Sequence, residues 1–139
     1  MDLGDANMDP DGPDKWDSHA NEIWTYEGDE LRQFLADNDM IVVCGDRHWQ
    51  YHSIHPSGFE EFSVGALHDA NSRMGVAPGD PSGTDPGAKI NQLYASPEPS
   101  GGFLIVTVDP AGGAGGVKAT FELMDENGAL MYSVERRLD

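Results

Sequence analysis

Basic residues are scarce in this chain: 8 Lys and Arg stand against 25 Asp and Glu in 139 residues, for a formal charge of −17. So acidic a surface repels a nucleic-acid backbone and an anionic membrane, which excludes both as default partners. Cys44 is the one cysteine, so an internal disulfide is excluded and the redox compartment stays unassigned. Long apolar runs are missing too. No stretch reaches the roughly 18 residues of a membrane span, and Met1-Asp2-Leu3-Gly4-Asp5 does not follow the basic-then-apolar order of a signal peptide. No internal repeat, heptad, GxGxxG, P-loop or CxxC pattern occurs. A mass of 15.0 kDa suits one domain with a modest core and excludes a multidomain enzyme. The acidity itself is uneven, with 16 Asp to 9 Glu, and lysine occurs only at Lys15, Lys89 and Lys118. Such a balance suits a salty medium, where screening tolerates like charge.

A hydrophobic content of 38% is enough to fold, and 17 Gly with 9 Pro predict many loops. Residues 1 to about 20 carry six Asp among Gly and Pro without helical or strand period, which predicts a flexible acidic arm ahead of a folded region over 21–139. Leu31, Phe34 and Leu35 at i, i+3 and i+4 predict a short amphipathic helix from Asp29 to Asn38. Met40-Ile41-Val42-Val43-Cys44, stopped by Gly45, reads as a central strand buried on both faces. The residues after it, 46–55, are then where an α/β sheet holds its ligands. A second short strand is expected within Phe59–Leu67, and a long loop over Ala70–Gly87. Phe103–Val108 reads as a strand followed by a turn through Gly112, Gly113, Gly115 and Gly116. Val117, Ala119, Phe121 and Leu123 then alternate with polar residues, and Asn127-Gly128 predicts a type I′ hairpin that pairs Phe121 with Val134 and Leu123 with Tyr132.

The chemistry concentrates in one window. His48, His52, His55 and His68 lie close together, with Asp46, Glu60, Glu61 and Asp69 in or beside them. Gly45-Asp46-Arg47-His48 is its centre, because a carboxylate and an imidazole two apart at a strand end can both turn toward one cation, the glycine allowing the bend. Arg47 between them offers forked donors to a phosphate or carboxylate. The same spacing also fits a turn with a solvated histidine. His52, His55 and His68 read as surface or loop hydrogen-bonding residues sooner than as ligands, and Glu60-Glu61 as a charged loop edge sooner than as an acid/base pair. Cys44 ends an apolar run with no base beside it, which is the pattern of a buried thiol rather than a nucleophile.

Taken in order, these features resemble the C-terminal part of the PhoD-like metallophosphatases, the alkaline phosphatase D family within the calcineurin-like phosphoesterase superfamily. The resemblance runs from Trp16 onward. It is carried by Asp14-Lys15-Trp16-Asp17, Arg32-Gln33-Phe34-Leu35, Ile41-Val42-Val43-Cys44, Gly45-Asp46-Arg47-His48-Trp49 with Ser53, Glu61-Phe62-Ser63 and Ser100-Gly101-Gly102-Phe103. It implies an α/β fold, here a partial calcineurin-like metallophosphoesterase sandwich ending in an antiparallel β-hairpin, and hydrolysis of phosphomonoesters or phosphodiesters at a dinuclear centre. Iron with calcium is the metal pair it suggests, and zinc or manganese suits the same ligand types. By the match, Asp46 and His48 are metal ligands, with Arg47, His52 and Trp16 as neighbours of the site. The resemblance further implies a periplasmic or extracellular location.

The family's earlier ligands, a bridging Asp and an Asn-His segment, have no counterpart among the fifteen residues before Trp16. The resemblance therefore implies a C-terminal piece with an incomplete site, whose exposed strand edges invite a missing N-terminal half or self-association. The competing expectation is an acidic β-rich module that binds cations or carbohydrate through residues 46–69 without catalysis, or a non-catalytic remnant.

Overall fold

The computed structural model describes residues 25–45, 47–83, 85–110 and 116–138. The expected acidic arm, Asp14–Asp17, Asp46 and the glycines at 112, 113 and 115 lie outside them. Helix α1 spans Thr25–Asp37, starting four residues before the expected point. Its inner stripe is Gly28, Leu31, Arg32 and Leu35 rather than Leu31, Phe34 and Leu35, and Phe34 is left 56% exposed. The reason is spacing: 28, 31, 32 and 35 close two full turns on one face, which rotates 34 outward. Leu35 packs on Phe59 with Leu31, Ala36 and Val42 around them.

The helix ends in a Schellman motif. Met40 N–H donates to the Leu35 carbonyl at 2.9 Å and Asp39 N–H to the Ala36 carbonyl at 3.2 Å, with Asp39 at φ 50°. Asn38 Nδ2 takes up the Phe34 carbonyl as well.

Seven strands follow: β1 Ile41–Cys44, β2 Gln50–Ile54, β3 Glu60–Val64, β4 Asn91–Ala95, β5 Gly102–Asp109, β6 Val117–Asp125 and β7 Leu130–Leu138. They form a four-stranded sheet in the order β1-β3-β2-β4 and a three-stranded sheet β5-β6-β7. Among the described residues only β1 and β3 pair in parallel. The architecture is thus mostly β with one helix, and the α/β expectation holds only in the coarse sense that both element types are present. β1 is an edge strand, not a central one. The interior place goes to β3, whose Phe62, Glu61 and Ser63 are fully buried, while Val43 on β1 stays 51% exposed. An apolar run at a sheet edge has the same sequence signature as one in the middle, so composition cannot separate them.

Alternation along β1 and β3 sends Val42 toward α1 and Ile41 toward the second sheet. The two sheets meet on aromatic rings. Phe62 stacks on Phe121 at 4.5 Å between centroids, His52 on Phe62 at 4.1 Å, and Tyr94 on Tyr132 at 4.5 Å. Phe121 pairs with Val134 and Leu123 with Tyr132, as the alternation predicted. The connecting turn differs from the expected type I′. Positive φ occurs at Gly128 (82°) and not at Asn127, and Gly128 N–H donates to the Asp125 carbonyl. Asp125 Oδ1 accepts from the Asn127 and Ala129 N–H groups, which favours this three-residue loop over the two-residue one.

Asp39 occupies the left-handed helix-end position that glycine adopts without a Cβ penalty, and it sets a carboxylate at the negative end of the helix dipole. Asp39→Gly is expected to raise unfolding stability by about 0.5–1 kcal/mol, as read from the urea midpoint at unchanged slope.

Candidate functional site

The turn between β1 and β2 carries Gly45 to Trp49. Arg47 is buried, and its guanidinium carbon lies 5.2 Å from the centroid of the Trp49 ring. Trp49 in turn rests on Gly75, where a Cβ would come within 2.6 Å of the indole, so only glycine admits the ring there. Next to Arg47, the His48 ring offers Nδ1 to the Asn71 carbonyl, and the His48 carbonyl accepts from Arg73 N–H at 2.8 Å. A ring nitrogen facing a carbonyl oxygen must carry the proton. In the neutral imidazole this leaves the Nε2 lone pair as the acceptor.

His48 therefore depends on the 66–73 segment, and that segment is sewn down at three points. Gly102 N–H donates to the Ala66 carbonyl at 2.7 Å, Gly101 N–H to Asp69 Oδ1 at 2.7 Å, and Asp69 N–H to Glu126 Oε2 at 2.9 Å. A Cβ on Gly101 would lie 2.3 Å from His68 Cα and one on Gly102 2.1 Å from the Met124 carbonyl oxygen, which is why both positions are glycine. His68 caps a single 3-10 turn, Asp69–Asn71, by accepting the Ala70 N–H. It is a loop-forming residue.

The structure does not bring His52 to His48. His52 sits on β2, fully buried between the sheets, with Nε2 donating to Glu60 Oε1 at 2.5 Å and Nδ1 2.9 Å from the Tyr132 hydroxyl. Arg136 on β7 closes the group: its Nε donates to both Glu60 oxygens at 2.8 and 2.9 Å. Burial pushes the Glu60 carboxyl up, but the hydrogen bonds from His52 and Arg136 outweigh it and hold the group below the ordinary carboxylate range.

Glu60 and Glu61 are not an acid/base pair, because strand alternation points them to opposite faces. Glu61, with no exposure, accepts the Tyr51 hydroxyl at 2.5 Å, and the same hydroxyl lies 3.6 Å from Cys44 Sγ. The thiol is buried, as its place at the end of an apolar run suggested.

A cleft of about 420 Å³ lies elsewhere. It opens between Leu35, Met40, Ile41, Phe59, Arg136 and Leu138, at the starting ends of β1 and β3, whereas His48 lies past the finishing end of β1. Ligands of a sheet with parallel strands gather at the finishing ends, so the strand argument and the cavity point to opposite ends of the sheet. At the finishing end the described residues place Arg47 and His48 side by side. Among the described residues no group of three or more His, Cys, Asp and Glu is placed to hold a metal ion. No protein-family model, curated protein or solved structure matches this chain.

One group escaped the sequence reading: Arg136, half-buried, bears no motif, and its carboxylate partner Glu60 becomes visible only in the fold. His55, expected in a loop, is a buried hairpin corner, stacked on Phe59 at 4.9 Å and accepting Ser57 N–H at 3.0 Å. Burial, aided by the nearby Arg32 charge, lowers its pKa from 6.5 to about 4. The unfolded chain then binds more protons than the folded one between those values. Its contribution is complete above pH 6.5 and is lost as pH falls toward 4. The loss should be at most about 3 kcal/mol, and His55→Asn, which keeps an acceptor without the titration, should flatten stability across that window in denaturant titrations at stepped pH.

Proposed function

We propose that this region is the C-terminal part of a PhoD-like metallophosphatase that hydrolyses phosphoesters, within a calcineurin-like α/β sandwich. The observation that carries the reading is His48: at the turn after β1, its Nδ1 faces the Asn71 carbonyl, which leaves the Nε2 lone pair as the acceptor of the neutral ring. A hydrogen bond from the other ring nitrogen to a backbone carbonyl is how proteins orient a metal-binding imidazole. Gly45-Asp46-Arg47-His48 supplies Asp46, outside the described residues, as the second ligand of the proposal. The charge balance supports it too, since a −17 chain attracts an anionic phosphoester only where cations reverse the local field.

The ions that fit oxygen and imidazole donors are iron with calcium, or zinc or manganese. Bound, such ions polarise phosphoryl oxygens and acidify water. His48 and Asp46 would hold one of them, and Arg47, braced on Trp49, would place a guanidinium beside the substrate oxyanion. His52 supports the sheet behind this turn and takes no part in the chemistry. The described residues supply too few ligands for two ions. The remainder would come from an N-terminal half that completes the sheet beside β1, which has no neighbour on its outer side among the described residues and whose Val43 is half exposed. Export to the periplasm or cell exterior belongs to the same proposal. The acidic binding-module reading gains no observation of its own.

In the enzyme containing this region, His48→Ala is expected to lower both bound metal and p-nitrophenyl phosphate turnover at least about tenfold. Full metal content and full turnover in that variant would remove the assignment.

A further inference from the structure

Tyrosine occurs four times in the chain, and the fold gives the four different settings. Tyr26 stands 77% exposed on α1, and Tyr51 is buried with its hydroxyl on Glu61. Tyr94 and Tyr132 are half-buried and stack on each other, with centroids 4.5 Å apart and planes 15° from parallel. They come from different sheets, Tyr94 from β4 and Tyr132 from β7, and each of those strands is an edge of its sheet.

The Tyr132 hydroxyl also has a base beside it. His52 Nε2 faces the Glu60 carboxylate and so carries the ring proton, which makes Nδ1 of the neutral ring the acceptor of the Tyr132 O–H at 2.9 Å. His52 is at the same time the direct cross-strand partner of Tyr94, so one imidazole serves the place where the two phenols meet. Burial pushes the Tyr132 phenol above its ordinary pKa of 10.0. It therefore stays protonated in neutral water, and removing an electron from it requires a group that takes the proton. A proton arriving at Nδ1 makes an imidazolium, whose charge the Glu60 carboxylate offsets.

We infer that Tyr94 and Tyr132 are an oxidative cross-linking site, at which hydrogen peroxide acting through a haem peroxidase joins the two rings as dityrosine and ties the two sheets covalently. One electron leaves Tyr132 as its proton passes to His52 Nδ1, which later returns it to the medium. The second electron leaves Tyr94 together with a proton. The two phenoxyl radicals form one carbon–carbon bond between ring positions ortho to the oxygens, and the hydrogens on those two carbons move to the oxygens, restoring both phenols. Hydrogen peroxide takes up the two electrons and two protons and becomes two waters, so the chain loses two hydrogen atoms in all. β4 can follow the new bond, because it has no outer neighbour among the described residues and its pairing with β2 already shifts register between His52 and Ser53. Charge keeps the coupling within one chain, since two copies at −17 repel each other.

The full 139-residue chain, treated with a haem peroxidase and limiting hydrogen peroxide, should gain the blue fluorescence of dityrosine at monomer mass. Its intact mass should fall by two hydrogen atoms, and digestion should release a peptide pair joined at 94 and 132. Tyr94→Phe keeps the ring stack and removes one phenol, so it should abolish this product, whereas Tyr26→Phe should not. His52→Gln should slow the cross-link at least about tenfold while Tyr26 is oxidised at its former rate. The cross-linked chain should unfold at a urea midpoint higher by about 1 M or more. Links found only between chains or through Tyr26 or Tyr51 overturn the inference. So does monomer fluorescence that survives Tyr94→Phe, an unchanged rate in His52→Gln, or a midpoint that does not move. No ligand of the proposed metal centre takes part, so these outcomes stand or fall apart from the phosphatase proposal.

Discussion

One carboxylate ties the two sheets together. Glu60 lies at the start of β3 and receives His52 from β2 in the same sheet and Arg136 from the last strand of the other. Its side chain is 14% exposed, so the charge has been largely withdrawn from water and the two donors must replace the lost hydration. Arg136 meets both oxygens, which fixes direction as well as distance between β3 and β7. Aromatic stacking fills the space around this contact without specifying a register: Phe62 on Phe121 would tolerate sliding, whereas a forked guanidinium on a carboxylate does not. His52, whose ring bridges Glu60 and Tyr132 while lying flat on Phe62, joins the polar and the aromatic parts of the interface.

The rest of the site inherits this geometry. β3 lies between β1 and β2, so fixing it fixes the turn that joins them, where Arg47 and His48 project. The second sheet also reaches that turn from the other side, through Gly101 and Glu126, which hold Asp69 and the segment against which His48 rests. A side chain proposed as a ligand is thus oriented by residues about 20 to 80 positions later in the chain, all of them referred to the same pair of sheets. Preorganisation of this kind is what a metal-binding imidazole requires.

Sequence patterning disclosed those parts whose signal is local. The β6–β7 register followed from alternating apolar residues, because one face of that hairpin is buried and the other is wet. β5 and the existence of α1 were legible for similar reasons. β2 was not, because Gln50, Tyr51, His52 and Ser53 are all buried and three of the four are polar, so no hydrophobic period marks the strand. Their burial is tolerated because partners lie far along the chain: Gln50 Nε2 donates to the Met124 carbonyl, and His52 reaches Tyr132. β4 failed to show itself for the same lack of period. The Asp-x-His spacing singled out the turn after β1, and the fold separates His52 from it, a neighbour in sequence only. A strand begins at Gln50, and the ring two residues further on lies between the sheets. Glu60 and Glu61 looked like one feature and serve opposite faces.

A double-mutant cycle between Glu60 and Arg136 addresses the central claim, with Glu60→Gln, Arg136→Met and the pair compared by urea unfolding. If the carboxylate is the tie between sheets, each single change costs at least about 2 kcal/mol and the coupling between them is at least about 1 kcal/mol. Single changes within about 0.5 kcal/mol of the unaltered chain, adding without coupling, would show that the aromatic layer holds the sheets by itself.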